Sequence, residues 1–263
     1  MPATAVFHDD DRPTLIAVSA LACILQDVLH EGLGHGVIAW LSGAHRLTIS
    51  TVALESDVST RWISAGGTLV NLVFAAIFWL LLRRPQRHKP VTFYFLTMAM
   101  AANLFTGTGY FFFSGVANFG DWAAVIEGLH PHWLWRLGLI ALGAGSYYLS
   151  MLVVAGSMKE FHDRHDSLRR LRSLCWTPYV TDGVLAGLAG LFNPAGLFYV
   201  VASALPSTLG ANAGLFSLPG LIRWRGHEGQ LAPIRRSAGW IAAGAVSSGL
   251  FIFVLGRGIT WSR

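Results

Sequence analysis

Apolar residues run along this chain in long blocks, broken by short clusters of charge, glycine and proline. A helix that crosses a bilayer needs about 20 mostly apolar residues at a rise of about 1.5 Å each. Six windows satisfy that: Thr14–Leu41, Trp62–Leu82, Val91–Phe113, Trp133–Gly156, Val184–Leu205 and Ala238–Leu255. The stretch Pro206–Leu221, rich in Gly and Pro, reads either as a re-entrant segment or as a weak extra pass. Between the first two windows, His45–Ala53 is rich in β-branched residues with partial alternation, which predicts a short strand. The pattern therefore predicts an all-α polytopic membrane protein of about six transmembrane helices, with a small β element between the first and second. A single integral membrane domain over residues 1–263 is expected, because no internal repeat or Pro/Ser linker divides the chain.

Composition agrees with the pattern. Of 263 residues, 53% are hydrophobic and 13% charged, and the mean hydropathy is +0.51, too few charges to coat a water-soluble globule. The net charge of +5 comes from clusters between apolar blocks, not from a basic face with interleaved aromatics, so nucleic acid is not an expected partner and the lipid bilayer is. Arg83, Arg84, Arg87 and Lys89, and then Arg164, Arg169, Arg170 and Arg172, would lie in the cytoplasm by the positive-inside rule, with the amino terminus on the same side. Arg223, Arg225, Arg235 and Arg236 break that parity unless residues 206–221 complete a crossing. The expected localisation is multi-pass in the membrane, of the bacterial inner-membrane type. Asp9, Asp10 and Asp11 stand where a secretory signal would be cationic, so the first apolar block is expected to be retained. Cys23 and Cys175 offer neither a disulfide framework nor a thiolate metal site.

Against that background, His30-Glu31-Gly32-Leu33-Gly34-His35 stands out. Three titratable groups within six residues of a spanning helix cost several kcal/mol each if unpaired, a burden rarely carried without function. Zincin helices place two histidines four apart so that both reach one ion, with the intervening Glu acting on water. Here the second follows five residues after the first, about 140° away on a regular helix. Both can bind one metal only if the helix widens locally, and π-bulges of that kind occur mostly at functional sites. Gly32, Gly34 and Gly36 would make the distortion cheap. The same H-E-x-x-x-H spacing resembles the zinc motif of the dipeptidyl-peptidase III family. A catalytic zinc takes three protein ligands and leaves one position open. Asp121 is the expected third ligand, since an even number of crossings relates the end of the first span to that of the third. Asp182, in Thr181-Asp182-Gly183, is the alternative.

The order of these features resembles the site-2 protease family of intramembrane zinc metallopeptidases. HEGLGHGVIAWLSG at 30–43 is similar to the family's His-Glu-x-x-His helix, with one residue inserted. SAGGTLVNL at 64–72 is similar to its Ala-Gly-Pro-x-x-Asn segment, with Asn71 one place late, and DWAAVIEGLHPHWLW at 121–135 resembles the stretch after the third-ligand aspartate in small bacterial members. The usual Asp-Gly after a Pro-containing loop is not found at Asp121. The likeness covers residues 15–150, which would be a protease-like core, with additional helices over 157–263. It implies that His30, His35 and Asp121 hold Zn²⁺, that Glu31 is the general base and later the proton donor, and that Asn71 contacts substrate or a developing oxyanion. It also implies a membrane protein or peptide as substrate, laid against the strand at 45–53.

Further side chains have plainer readings. Asp27, one turn before His30, is placed to fix a ligand tautomer or to make a polar contact in a hydrated cavity. His130 and His132 read as interfacial beside Trp133 and Trp135, and Lys159–Leu174 as a surface-lying helix. The competing reading of the whole is a non-catalytic protease-like protein, or a small transporter moving protons or ions through Asp27, Glu31 and Asp121. A regular helix from 24 to 40, its imidazoles pointing apart, would favour that reading.

Overall fold

The structure, a computed structural model, describes residues 9–83, 88–162, 167–194, 201, 205–223, 229 and 231–262. It is a helical bundle carrying a small sheet at one end. The first helix, α1 (Arg12–Leu41), is capped by Asp11, whose carboxylate accepts from the Thr14 N–H at 3.0 Å. Its middle, Val28–Gly36, is a π-helix nine residues long. The sheet strands β1 (Arg46–Ile49) and β2 (Leu54–Ser56) follow, then α2 (Arg61–Leu82), capped by Thr60, and α3 (Pro90–Ala117). After these come the short α4 (Asp121–Val125), α5 (His132–Phe161) and α6 (Ser167–Gly190). The chain then passes through a π turn at Pro206–Gly210, a 3-10 stretch at Ala211–Phe216 and α7 (Leu218–Arg223) to α8 (Ala238–Leu255) and β3 (Ile259–Ser262).

Among the described residues four helices, α1, α2, α5 and α8, are long and apolar enough to cross a membrane. Their outer faces suit hydrocarbon and not water, with Leu69, Val73 and Ile77 of α2 and Leu134, Leu142 and Leu149 of α5 exposed. The six expected spans are not all found in that form. The window at Val91–Phe113 is the 28-residue α3, which carries Thr97, Asn103, Thr106, Thr108 and Ser114. All five are at most 4% exposed, so the polar groups of α3 are shielded by its neighbours, while Phe112 and Val116 face outward. The window at Val184–Leu205 does not correspond to a described helix: α6 ends at Gly190, and 195–200 and 202–204 lie outside the described residues. Nor is Lys159–Leu174 a separate surface helix. Its second half is the first turns of α6, with Leu171 and Leu174 fully buried in the main core beside Phe93, Phe161 and Met158. Arg84, Arg87, Arg164 and Arg225 lie outside the described residues.

The segment at 206–223 travels from one end of the bundle towards the other. Leu209 lies against Gly183 and Ala211 against Gly109, and Leu218 and Ile222 join the core that holds Leu171 and Leu174. At that end, the Arg170 guanidinium bonds both oxygens of Asp10 (2.9 and 3.2 Å) and the carbonyls of Phe161, Leu231 and Ala232. The amino-terminal residues, the α5–α6 connection and the approach to α8 are thereby tied together.

The opposite end holds the sheet, in the order β2-β1-β3, all antiparallel. The strand expected over 45–53 is shorter, because Ser50–Ala53 forms the turn into β2. β1 is central: Leu47 faces Ser56 on one side and Trp261 on the other, and Thr48 and Thr260 join their hydroxyls at 2.9 Å. A lone hairpin is marginal in water, and the third strand, from the far end of the chain, completes it.

Candidate metal centre

The π segment decides the geometry of the site. With i→i+5 hydrogen bonding, residues five apart return to the same face of the helix. His30 and His35, 3% and 6% exposed, accordingly lie side by side with their Nε2 atoms 3.1 Å apart. What holds the wide turn is close packing by α2. A Cβ on Gly34 would stand 2.5 Å from the Gly67 Cα, and one on Gly36 would stand 2.7 Å from Ile49 Cδ1 of β1. Gly32 has no such neighbour. On the α2 side, a Cβ on Gly67 would come within 2.6 Å of Nε2 of both histidines. The absence of a side chain at 67 leaves the space into which both rings point.

Asp121 arrives from the far end of α3. Asn118 ends that helix with φ +52°, its N–H bonded to the Ser114 carbonyl at 2.9 Å and its side chain to His132 Nε2 at 2.9 Å. Gly120 follows at φ +84° and ψ −167°, a region essentially restricted to glycine, and turns the chain so that Asp121 opens α4. Trp122 then packs on Phe111, ring centroids 4.6 Å apart, and Arg61 donates to the Glu127 carbonyl at 2.7 Å. These contacts fix α4 against α2 and α3. Asp121 Oδ2 lies 3.2 Å from Nε2 of His30 and 3.4 Å from that of His35.

The hydrogen bonds behind the rings set their protonation. The Ala99 carbonyl can only accept, so the Asn103 amide nitrogen donates to it at 2.8 Å and Asn103 Oδ1 must accept. Asn71 Nδ2 donates to that oxygen at 2.7 Å, which turns Asn71 Oδ1 to His30 Nδ1 at 2.5 Å. His30 therefore carries its proton on Nδ1. His35 does too, since its Nδ1 faces the Ile63 carbonyl at 2.6 Å. Both Nε2 atoms point at the same carboxylate oxygen, Asp121 Oδ2.

With both rings neutral, two Nε2 lone pairs and a carboxylate oxygen converge on one space, an arrangement that a cation among them stabilises. His30, His35 and Asp121 are the group among the described residues that could hold a metal ion. Their separations of 3.1, 3.2 and 3.4 Å match the edge of a tetrahedron, about 3.3 Å, drawn by zinc bonds of about 2.0–2.1 Å. Two imidazoles and one carboxylate form a donor set that suits zinc and leaves a fourth position open. Glu31, 6% exposed, stands beside the three; its carboxylate accepts from the Leu54 N–H of β2, while Oε2 is buried with no partner.

Other expectations fall differently. Asn71 lies behind His30, wholly buried, its amide engaged by His30, Asn103 and the Gln26 carbonyl. That leaves it no free group to offer a substrate or an oxyanion, and its place is that of an orienting residue. Asp182 does not join the histidines: it is bonded to Asn212 Nδ2 at 2.7 Å and to Cys23, and Asp121 takes the place beside the two rings. Asp27 does not fix a tautomer, a task performed by Asn71 and the Ile63 carbonyl. Asn103, the Ile63 carbonyl, the Leu54 N–H and Tyr110, whose ring stacks on His30 at 5.0 Å, were not anticipated. A polar amide inside the apolar run at 98–105 was a signal for Asn103; backbone groups give none.

No protein-family model, curated protein or solved structure matches the chain.

Proposed function

We propose that this chain is a membrane-embedded zinc endopeptidase, site-2 protease-like in its chemistry, that hydrolyses a peptide bond of a spanning or juxtamembrane substrate. The observation that carries the proposal is the meeting of two imidazole Nε2 atoms and an Asp121 carboxylate oxygen around one space, with a second carboxylate, Glu31, beside them. His30, His35 and Asp121 would hold the ion. Zinc so held is a Lewis acid that lowers the pKa of bound water to about 7. Asn71 and the Ile63 carbonyl keep the two rings aimed, and such outer partners raise ligand basicity as well as fixing orientation. Glu31 takes a proton from the attacking water at its carboxylate and delivers it to the leaving nitrogen.

The sheet supports a specific way of presenting the peptide. β1 cannot receive a substrate strand as expected, because β2 and β3 occupy both of its edges. The outer edge of β2 is the better candidate. The Ser50 N–H bonds the Ala53 carbonyl and the Asp57 N–H the Arg46 carbonyl across the hairpin, so in this register Leu54 and Ser56 turn their N–H and C=O groups the other way. The Leu54 N–H is the group that meets Glu31. A peptide added along β2 would take that N–H and release the Glu31 carboxylate towards the water.

Purified wild-type protein, Glu31→Gln and His35→Ala test the reading with labelled single-spanning peptides in detergent. Glu31→Gln should retain zinc and lose about 10²–10⁴-fold in cleavage rate, the usual contribution of general base catalysis. His35→Ala should lose both zinc and cleavage. Unchanged proteolysis in both variants contradicts the proposal.

A further inference from the structure

A cleft of about 560 Å³ lies between α3, α5 and the 206–217 segment, within the about 300–1,000 Å³ range of small-ligand pockets. Its inner wall leads directly to the candidate metal centre. Tyr110 lines the cleft and stacks on His30, with interplanar angle 28°. Phe113 lines it too, and a Cβ on Gly120, the residue before Asp121, would lie 3.4 Å from the Phe113 ring. The cleft is thus one side chain, that of Tyr110, away from His30, and Phe113 places it beside the turn that leads into Asp121. The Tyr147 hydroxyl on its wall is already engaged, donating to the Ala211 carbonyl and accepting from the Gly214 N–H at 2.8 Å. Most of the remaining wall is aromatic, aliphatic or glycine, so a polar occupant would lose its hydration for little in return. A Cβ on Gly210 would meet no described residue within 4 Å, and Ala144 and Ala213 present exposed methyl groups to the same space.

We propose that this cleft receives the bulky apolar side chains, of the leucine or phenylalanine kind, that flank the scissile bond of the peptide, and so sets substrate preference. This rests on the peptidase reading above. The continuity of Tyr110 with His30, and of Phe113 with the turn into Asp121, favours a peptide over a lipid tail, because a bilayer-facing crevice that serves lipid needs no wall in common with metal ligands. Tyr110 is the residue through which an occupied cleft touches the site, and Gly210, Ala144 and Ala213 keep the space open.

The test uses full-length Glu31→Gln protein in phosphatidylcholine nanodiscs, with a spanning peptide carrying diazirine-leucine near its centre. Cross-links are mapped by mass spectrometry, with a diazirine-bearing phosphatidylcholine in a parallel arm. The peptide should label the 109–116 and 144–151 stretches. Ala144→Trp and Ala213→Trp, which fill the cleft from exposed positions, should reduce that labelling by about tenfold, the size of a lost apolar pocket contact, while zinc content stays the same. Labelling by the phosphatidylcholine alone, or peptide labelling that both Trp variants leave unchanged, overturns the proposal. A wild-type protein that is labelled in the cleft yet cuts no peptide refutes the peptidase reading and not the cleft; cleavage without cleft labelling does the reverse.

Discussion

At the scale of single residues, the site depends on groups that do no chemistry themselves. His30 turns its Nε2 towards Asp121 and His35 because a chain of bonds from the Ala99 carbonyl through Asn103 and Asn71 ends at its Nδ1. Asn71→Ala removes the acceptor, and zinc affinity should fall by about 10–100-fold, measured by competition with a chromogenic chelator. An affinity equal to wild type would mean that His30 is oriented by something else. Gly67→Ala should be more severe, because its new methyl would stand 2.6 Å from both ring nitrogens; zinc bound after purification should drop below that of Asn71→Ala. The histidines, Glu31 and Asp121 were legible in the sequence because charge and imidazole are conspicuous in apolar text. Asn71 was legible as a site residue but not in its role, since spacing alone does not reveal which side of a ring an amide lies on. The Ile63 carbonyl and the Leu54 N–H carry no residue-type signal at all.

At the scale of elements, the need for a widened helix followed from the five-residue gap, but its length did not. Nine residues of π-helix are held by Gly34 against Gly67 and by Gly36 against Ile49, contacts between segments that no local pattern specifies. The same holds for β3, which reaches β1 from the far end of the chain. Ending the chain after Gly258 removes that strand and should raise hydrogen exchange of residues 46–56 while zinc content is retained; unaltered exchange would show that the hairpin stands without it. The hairpin has a second anchor in Asp57, whose carboxylate accepts from the N–H groups of Arg46 and His45, bonds that hold its pKa below the ordinary 3.8. A carboxyl depressed in the folded state stabilises above the unfolded value and loses that contribution as the pH falls through the folded one. Exchange protection of 45–57 should therefore be level above pH 3.8 and decline below it. In Asp57→Asn this acid-dependent step should be missing, and its persistence would assign the step to another group.

At the scale of the whole molecule, the cationic connections and the sheet occupy opposite ends. Arg170, Arg169 and Arg236 pair with Asp10, Asp9 and Asp11 at one end, where Phe161 also meets Phe93 at the start of α3. His30, Glu31 and His35 lie in the second half of α1, towards the other end. The positive-inside rule predicts a cytoplasmic arginine end, which would set the sheet on the opposite face. A cysteine placed at Ala53 should react with an impermeant maleimide from outside intact cells, and one at Ala232 only after permeabilisation; the reverse pattern would invert the orientation. The run from 206 to 223 was ambiguous because its Gly and Pro suit a broken crossing as well as a re-entrant loop, and packing against Gly109 and Gly183 decided its course. The most direct measurement of the central claim is zinc stoichiometry on purified full-length protein, with X-ray absorption at the zinc edge. One zinc per chain is expected, bound by two imidazole nitrogens and oxygen ligands, falling to background in His35→Ala and Asp121→Ala. A wild-type protein that takes up no zinc from excess, or variants that bind it as the wild type does, would contradict the account.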